Sequence, residues 1–438
     1  MSRGDIIFAL ASGAPPSGIS VFRISGQDIE NLVEALLQKI PKPRVAQLGP
    51  VYDFRSHNII DYGLALWFPS PKSFTGEDCL ELHLHGSRAV HSALMDSLSA
   101  WPNCRLAEAG EFTLRALKNN KMNIMEVEAV SDLLQSETEA QRVQAISAFN
   151  GIALSLIDSW KKLLIQSLAL IEASLDFSDE SDIPSNVLDQ FWSIISDIEL
   201  SLKQTSVSIE RAEIIRDGFR VAIIGRPNAG KSSLLNYFAG RDAAIVSEYA
   251  GTTRDIIDIK INLGGLPVVF YDTAGLRETS DPVEKIGIKR TFEHIEKAHL
   301  ILCLDENGEF SNFDIPRSKK SIHVRTKIDL YEINAHSDIA ISTVSGTGIS
   351  LLLDAIESEA KKLTNSFDTP IFFNQRQNTH ISKAIDALAR IKCLDLNLQT
   401  DLIAEDLRIA LYSLESLIGT IDAEDILGHI FSSFCIGK

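Results

Sequence analysis

The run Gly225-Arg226-Pro227-Asn228-Ala229-Gly230-Lys231-Ser232 lies between an apolar segment, Val221 to Ile224, and a helical one, Ser233 to Phe238. Strand, glycine-rich loop and helix in that order commit the surrounding chain to a parallel α/β sheet, because such a loop works only where a strand delivers it to a helix N-terminus. Glycines let successive backbone N–H groups curl round a polyphosphate. Lys231 then reaches the β and γ oxygens, and the Ser232 hydroxyl can ligate Mg²⁺. Ala229, Gly230 and Ser233 complete the expected phosphate contacts. The chain is expected to bind a nucleoside triphosphate.

Three further segments follow in the order that such a domain requires. Gly251-Thr252-Thr253-Arg254-Asp255 reads as a first switch, with the Thr253 hydroxyl placed to complete a Mg²⁺ shell. The strand Pro267 to Tyr271 runs into Asp272-Thr273-Ala274-Gly275, a second switch with Asp272 as its metal-side carboxylate. The strand Ile322 to Arg325 ends in Thr326-Lys327-Ile328-Asp329, whose Asp329 can accept the N1–H and exocyclic amine of guanine, donors that adenine lacks. Guanine is therefore the expected base. Two departures accompany the pattern. Thr326 stands where small GTPases normally carry Asn, and Leu276 where many signalling GTPases place the glutamine that orients water. Glu284 is a candidate for that task, although its spacing also suits a solvated surface carboxylate, and Asn228 can ligate a monovalent cation. Ser342-Thr343-Val344-Ser345, after the strand Ile339 to Ile341, is the expected last base-contacting loop.

With 438 residues, 45% hydrophobic and 23% charged, the chain is expected to form two or three domains with ample cores. No apolar run approaches membrane-spanning length, and the stretch Ile6 to Ala11 follows Asp5 without a basic flank, so a soluble, cytoplasmic protein is expected. Five cysteines without paired metal spacing point to reduced thiols, mostly in cores. A net charge of −17 and a pI near 5.1 argue against broad nonspecific binding to nucleic acid.

Residues 1–118 mix β-type runs (Ile19 to Ser25, Gly63 to Phe68, Cys79 to His85) with a helix at Asp28 to Gln38, a compact α+β domain. Residues 119–214 carry almost no Gly or Pro and place Leu154, Ile157, Leu164 and Leu168 at helical spacing. The same texture returns over 371–438, with helices expected at Ile381 to Leu396 and Asp401 to Leu417. The nucleotide domain, 215–370, is thus expected as an insertion in a helical bundle.

On Cys79 to His85, alternation sets Leu80, Leu82 and Leu84 on one face and Glu81, His83 and His85 on the other. A ligand pocket or interface is the expectation there rather than structural zinc. At the terminus, Cys435 stands beside Gly437, Lys438 and the α-carboxylate, where it is either a reactive thiolate or an inert tail residue.

Taken together, Phe22-Arg23-Ile24-Ser25-Gly26, Ser73 to Asp78, Gly110-Glu111-Phe112-Thr113 with Arg115, Gly225 to Ser233 and the terminal Cys435 to Lys438 resemble the MnmE (TrmE) family. These are tRNA-modification GTPases that act on wobble uridines. The resemblance implies a multi-domain α/β and α protein with an N-terminal α+β domain similar to folate-binding domains and a helical bundle. A Ras-like P-loop GTPase domain, an α/β sheet with helices on both faces, would be inserted in that bundle. It implies a homodimer joined through the N-terminal domains, and an FAD-dependent partner, MnmG, in a heterotetramer acting on tRNA. A tetrahydrofolate derivative, 5,10-methylene- or 5-formyl-, would meet Arg23, Glu81, Lys121 and Lys438. Potassium would meet Asn228, Ser247, Tyr249 and Thr252; Ser232 and Thr253 would hold Mg²⁺, and GTP would be hydrolysed with Glu284 positioning water. Cys435 matches a family cysteine of nucleophilic or redox character. A ribosome-assembly switch of the Era or Der type shares the phosphate loop but has no use for Arg23, Glu81 or the terminal residues.

Overall fold

The computed structural model describes residues 5–176, 185–241, 258–272, 295–310, 315–316, 318–330, 337–364, 374–395, 399–419 and 437. The chain divides into two compact units, residues 1–131 with 415–438, and residues 132–414.

The first unit is built on a sheet of order β3-β4-β5-β2-β1-β6, with β1 Ile6–Leu10, β2 Ser17–Gly26, β3 Gln47–Tyr52, β4 Ile59–Phe68, β5 Asp78–Gly86 and β6 Cys104–Leu106. Helices α1 (Glu30–Leu37) and α2 (Arg88–Ser99) supply the apolar partners of one sheet face: Leu32, Val33, Leu94 and Leu98 share a core with Phe8, Phe22, Ile24, Leu80 and Leu82. The expected alternation on β5 is present, since Leu80, Leu82 and Leu84 are buried in that core. The sequence reading missed β3, where Gly49-Pro50 interrupts the pattern; an edge strand tolerates proline because one side of its backbone needs no ladder partner. Helix α3, Glu111–Lys118, buries Phe112 and Ala116.

In the second unit, α5 (Glu139–Phe149), α6 (Ile152–Asp176) and α7 (Ser185–Asp217) follow α4 (Ile124–Gln135), which begins in the first unit. The buried stripe of α6 runs through Ala153, Ile157, Trp160, Leu164, Ser167 and Ile171. Ile157 and Leu164 were anticipated, whereas Leu154 and Leu168 flank the stripe; a residue beside a helix seam keeps the right period while staying half-buried. After the nucleotide domain, α10 (Gln375–Ile391) and α11 (Thr400–Ile418) rejoin the bundle. Lys392 pairs with Glu199 of α7 and Arg408 with Glu172 of α6 at 2.9 Å, so helices from both sides of the insertion hold each other. The sequence reading set the first of these helices at Ile381 to Leu396. It instead starts at Gln375, where Asn374 and Gln377 form a capping box, and ends at Ile391.

The inserted sheet has order β12-β11-β10-β7-β9-β8: β7 Phe219–Gly225, β8 Asp258–Leu263, β9 Leu266–Asp272, β10 Leu300–Asp305, β11 Lys320–Arg325 and β12 Ile339–Ala340. All pairs are parallel except β8 with β9. Helices α8 (Lys231–Ala239) and α9 (Ile349–Thr364) contribute Leu234, Leu235, Phe238, Leu352 and Ile356 to its main core.

The β8–β9 hairpin turn is held from outside. Ala140 at the start of α5 donates its N–H to the Gly265 carbonyl at 3.2 Å, Lys260 pairs with Glu137, and a Cβ on Gly264 would lie 2.2 Å from Glu357 of α9. With φ of 58° and 85°, Gly264 and Gly265 also need the left-handed conformation that glycine adopts freely. The α5 capping box, Thr138 with Gln141, reaches further, because the Gln141 amide donates to the Arg216 carbonyl at the end of α7 (2.9 Å).

Before β10, His299 accepts the Arg220 N–H at Nδ1 (2.9 Å) and stacks on Phe219 at 5.4 Å. Burial, reinforced by Arg220 and Lys319, pushes its pKa down from 6.5 to about 4. Since the folded value lies below the unfolded one, the neutral ring stabilises the fold above pH 6.5, and that contribution is lost as pH falls from 6.5 toward about 4. The melting temperature is therefore expected to drop across this window. In His299→Asn, which keeps an acceptor but does not titrate, the drop is expected to be shallower; an identical slope would exclude His299 as its source.

Candidate functional sites

Strands β7, β9, β10, β11 and β12 all end on one edge of the inserted sheet. From β7 the chain proceeds to β9 on one side and β10 on the other, the switch point at which open α/β sheets bind ligands. The phosphate loop occupies that point. Gly225 closes β7 where a Cβ would lie 2.6 Å from the Leu304 carbonyl oxygen of β10. Asn228 and Gly230 adopt left-handed φ values of 65° and 90°, which curls the loop. Asn228, Ser232 and Ser233 are exposed and Ala229 is buried. The Lys231 ammonium donates to the carbonyls of Gly225 (2.8 Å) and Arg226 (3.0 Å), so it lies across the loop. Asp272 ends β9 in register with Ile223 of β7.

The base-side loops are tied together. Ile341 donates its N–H to the Arg325 carbonyl at 2.7 Å and Ile328 to that of Ile341 at 3.3 Å. Ser342, fully buried, accepts the N–H groups of Val344 (3.2 Å) and Ser345 (3.1 Å) through its hydroxyl. Lys327 is left-handed and pairs with Glu306 at 2.6 Å, while Asp329 is exposed. Thr326 is buried, and its hydroxyl donates to the Ala229 carbonyl of the phosphate loop at 2.8 Å. In the sequence Thr326 is visible only as a departure from the usual Asn, and nothing in its spacing points to this link.

In the first unit, register pairs Arg23 of β2 with Glu81 of β5, and the Arg23 Nε donates to Glu81 Oε1 at 2.9 Å. Phe74 and Phe112 flank the guanidinium at 4.8 and 5.8 Å from their ring centroids. His83 Nε2 lies 3.9 Å from Glu81, but His85 pairs with Asp61 at 2.9 Å, so the polar face divides into separate pairs. Among the described residues no group of three or more His, Cys, Asp or Glu side chains could hold a metal. Lys121 reaches the Pro71 carbonyl at 3.1 Å and would lie 3.1 Å from a Cβ on Gly76, placing it on the loop that carries Phe74. Gly437 is buried with φ of 109°, and a Cβ there would meet the Leu10 carbonyl oxygen at 2.1 Å.

Behind this site lies a charged network of which the sequence reading registered only the motif residues. Arg115 bonds Asp5 (2.9 Å), Glu77 (3.0 Å) and Glu111 (3.1 Å), and Arg105 bonds Asp5 (2.7 Å) and Glu111 (2.6 Å). Glu77 also accepts the Ser25 hydroxyl at 2.9 Å, and Asn119 donates to the Thr75 carbonyl at 2.7 Å, so the network fixes the 73–77 loop. Burial alone would raise the Glu111 pKa, yet hydrogen bonds from Arg105, the Glu108 N–H and Arg115 outweigh it and hold the carboxyl below the ordinary glutamate value.

Ser247, Tyr249, Thr252, Thr253, Thr273, Ala274, Gly275, Glu284, Cys435 and Lys438 lie outside the described residues, as does the Asp272 side chain. Of the described cysteines, Cys79, Cys104 and Cys303 are buried and Cys393 is exposed. Among the described residues no helix is long and apolar enough to cross a membrane.

Residues 6–121 match the family model described as the GTP-binding protein TrmE N-terminus, and residues 124–435 match that of the MnmE helical domain. A tRNA modification GTPase MnmE from Chelativorans sp. is 44% identical over 437 residues, 99% of this chain and 98% of that protein. One from Brucella melitensis is 44% identical over 442 residues, covering 100% of this chain and 99% of its own length.

Proposed function

The chain belongs to the MnmE (TrmE) family of tRNA modification GTPases, and from that premise we propose that it hydrolyses GTP to drive carbon-five modification of wobble uridines together with an FAD-dependent partner, MnmG. A tetrahydrofolate derivative supplies the one-carbon unit when bound. The observation that carries this reading is the Arg23–Glu81 pair between Phe74 and Phe112. Glu81 offers a carboxylate to the amine edge of a pterin-like ring, Arg23 holds that carboxylate in place, and the two phenyl rings exclude water around them. Lys121 sits on the same loop, and Gly437 brings the chain terminus onto the main chain of β1, the strand next to Arg23, which supports a role for Lys438.

In the nucleotide site, Lys231 and the loop N–H groups would hold the β and γ phosphates, Ser232 and Thr253 would hold Mg²⁺, and Asp329 would select guanine. Asn228, Ser247, Tyr249 and Thr252 would hold potassium near the developing charge, with Glu284 positioning water where Leu276 cannot. The exposed, left-handed Asn228 supports that assignment. For the homodimer the support is an open apolar area on the Arg23 side of the sheet: Leu48 lies opposite Leu64, beside Tyr62, and all three are exposed. The net charge of −17 fits a division of labour in which MnmG provides most of the tRNA surface, in the cytoplasm, with Cys435 near the folate.

Mass spectrometry of wobble-uridine nucleosides in tRNA from cells lacking the gene tests the reading. Resupplying the intact chain is expected to restore the carbon-five group, and Arg23→Gln to leave it absent with GTP turnover retained. Arg23→Gln is also expected to weaken binding of 5-formyltetrahydrofolate by roughly ten- to hundredfold, the effect of losing a charged hydrogen-bond partner. Nucleosides unchanged by both deletion and rescue would sink the modification reading in favour of a ribosome-assembly switch.

A further inference from the structure

We propose that Thr326 is a positioning residue for the nucleotide's phosphates rather than a reader of its base. Its hydroxyl donates to the Ala229 carbonyl at 2.8 Å, and the residue is 4% exposed. The Ala229 C=O and the Gly230 N–H belong to one planar trans peptide, in which the two bonds point in opposite directions. Fixing the carbonyl on Thr326 therefore turns the Gly230 N–H away from the base loop. Gly230 is also left-handed and immediately precedes Lys231, in the part of the loop whose N–H groups cradle phosphate.

The strut is anchored at its other end as well. Thr326 donates its own N–H to the Asp305 carbonyl at 3.1 Å. Asp305 in turn accepts the N–H groups of Asn307 (2.8 Å) and Glu309 (3.1 Å), and the neighbouring Lys327 is pinned to Glu306. A would-be Cβ on Gly230 lies 3.6 Å from Thr326 Cβ, so the loop rests directly on this side chain. The hydroxyl is thus spent on the phosphate loop, and base selection falls to Asp329.

This inference rests on the phosphate loop being the nucleotide site. Release of GDP and of inosine diphosphate, which lacks the exocyclic amine, is measured for the intact chain, Thr326→Val, Thr326→Ala and Thr326→Ser, alongside guanosine binding and melting of the nucleotide-free proteins. Val and Ala are expected to speed release of both diphosphates by about fivefold, the equivalent of one hydrogen bond, with guanosine affinity unchanged. Ser is expected to restore the slow rate. Should Val fail to fold, Ala reports the same loss without the added methyl against the loop. Weaker guanosine binding by Val or Ala would make Thr326 a base reader and overturn the proposal, as would unequal factors for the two diphosphates, unchanged release or failure of Ser to rescue. Absence of GDP binding by the intact chain would overturn the phosphate-loop reading itself.

Discussion

Lys231→Ala is expected to lower kcat/KM for GTP hydrolysis by roughly 10²–10³-fold, the loss seen when one electrostatic donor to a developing charge is removed. The Lys231 ammonium lies across the loop mouth, bonded to the Gly225 and Arg226 carbonyls, so the loop's own main chain holds it in place. Alanine keeps the helix, because position 231 opens α8 and alanine is a good helix former. The loss should therefore appear in turnover and nucleotide affinity with little change in melting of the nucleotide-free protein. Phosphate release under multiple-turnover conditions measures it, and in deletion cells the same variant should leave wobble uridines unmodified. Hydrolysis at the intact rate would mean that the loop is not the catalytic nucleotide site.

A comparable effect on stability is expected from Arg115→Met. Arg115 serves three carboxylates, Asp5, Glu77 and Glu111, and the Glu111 side chain is 1% exposed. Removing the cation leaves Arg105 to serve Asp5 and Glu111 and takes from Glu77 its ion-pair partner in this network, and breaking a buried pair in this way costs about 3–5 kcal/mol. Denaturant unfolding followed by a probe in the first unit checks the value. Glu77→Gln added to Arg115→Met should recover part of the loss, because one stranded charge disappears. Additive losses would show that the network is not coupled. The pH dependence has a definite sign. The folded-state pKa of Glu111 lies below its unfolded value, so the network's contribution is complete above the ordinary glutamate range and fades as pH falls through it. 5-Formyltetrahydrofolate binding should weaken in parallel, since the same network holds the loop that sets Phe74 over Arg23.

Which features the sequence disclosed depended on whether the physics was local. The phosphate loop was legible because glycine spacing, a lysine and flanking apolar runs are all contiguous, and β5 because its period of two repeats over seven residues. The α10 boundary was not, since the reading followed the apolar stripe and overlooked the polar capping box at Asn374. The Arg115 network was equally hidden: Asp5, Glu77, Arg105 and Glu111 are spread over a hundred residues and meet only once β1 and α3 are in place. Arg23 and Glu81 could be named through family resemblance, but their direct pairing follows from strand register, which no spacing rule supplies. Thr326 stood out as a departure, and only the fold gives its hydroxyl a partner.

The hairpin of β8 and β9 is gripped at its closed end by Ala140, Glu137 and Glu357, while its open end, at Asp258 and Asp272, adjoins the two segments that the sequence leads one to expect as switches. A stiff arm clamped at the tip turns displacement at its free end into torque on the clamp. Here the clamp is the first turn of a bundle helix that also holds the end of α7, so a force on the hairpin bears on two bundle helices as a lever bears on its mount.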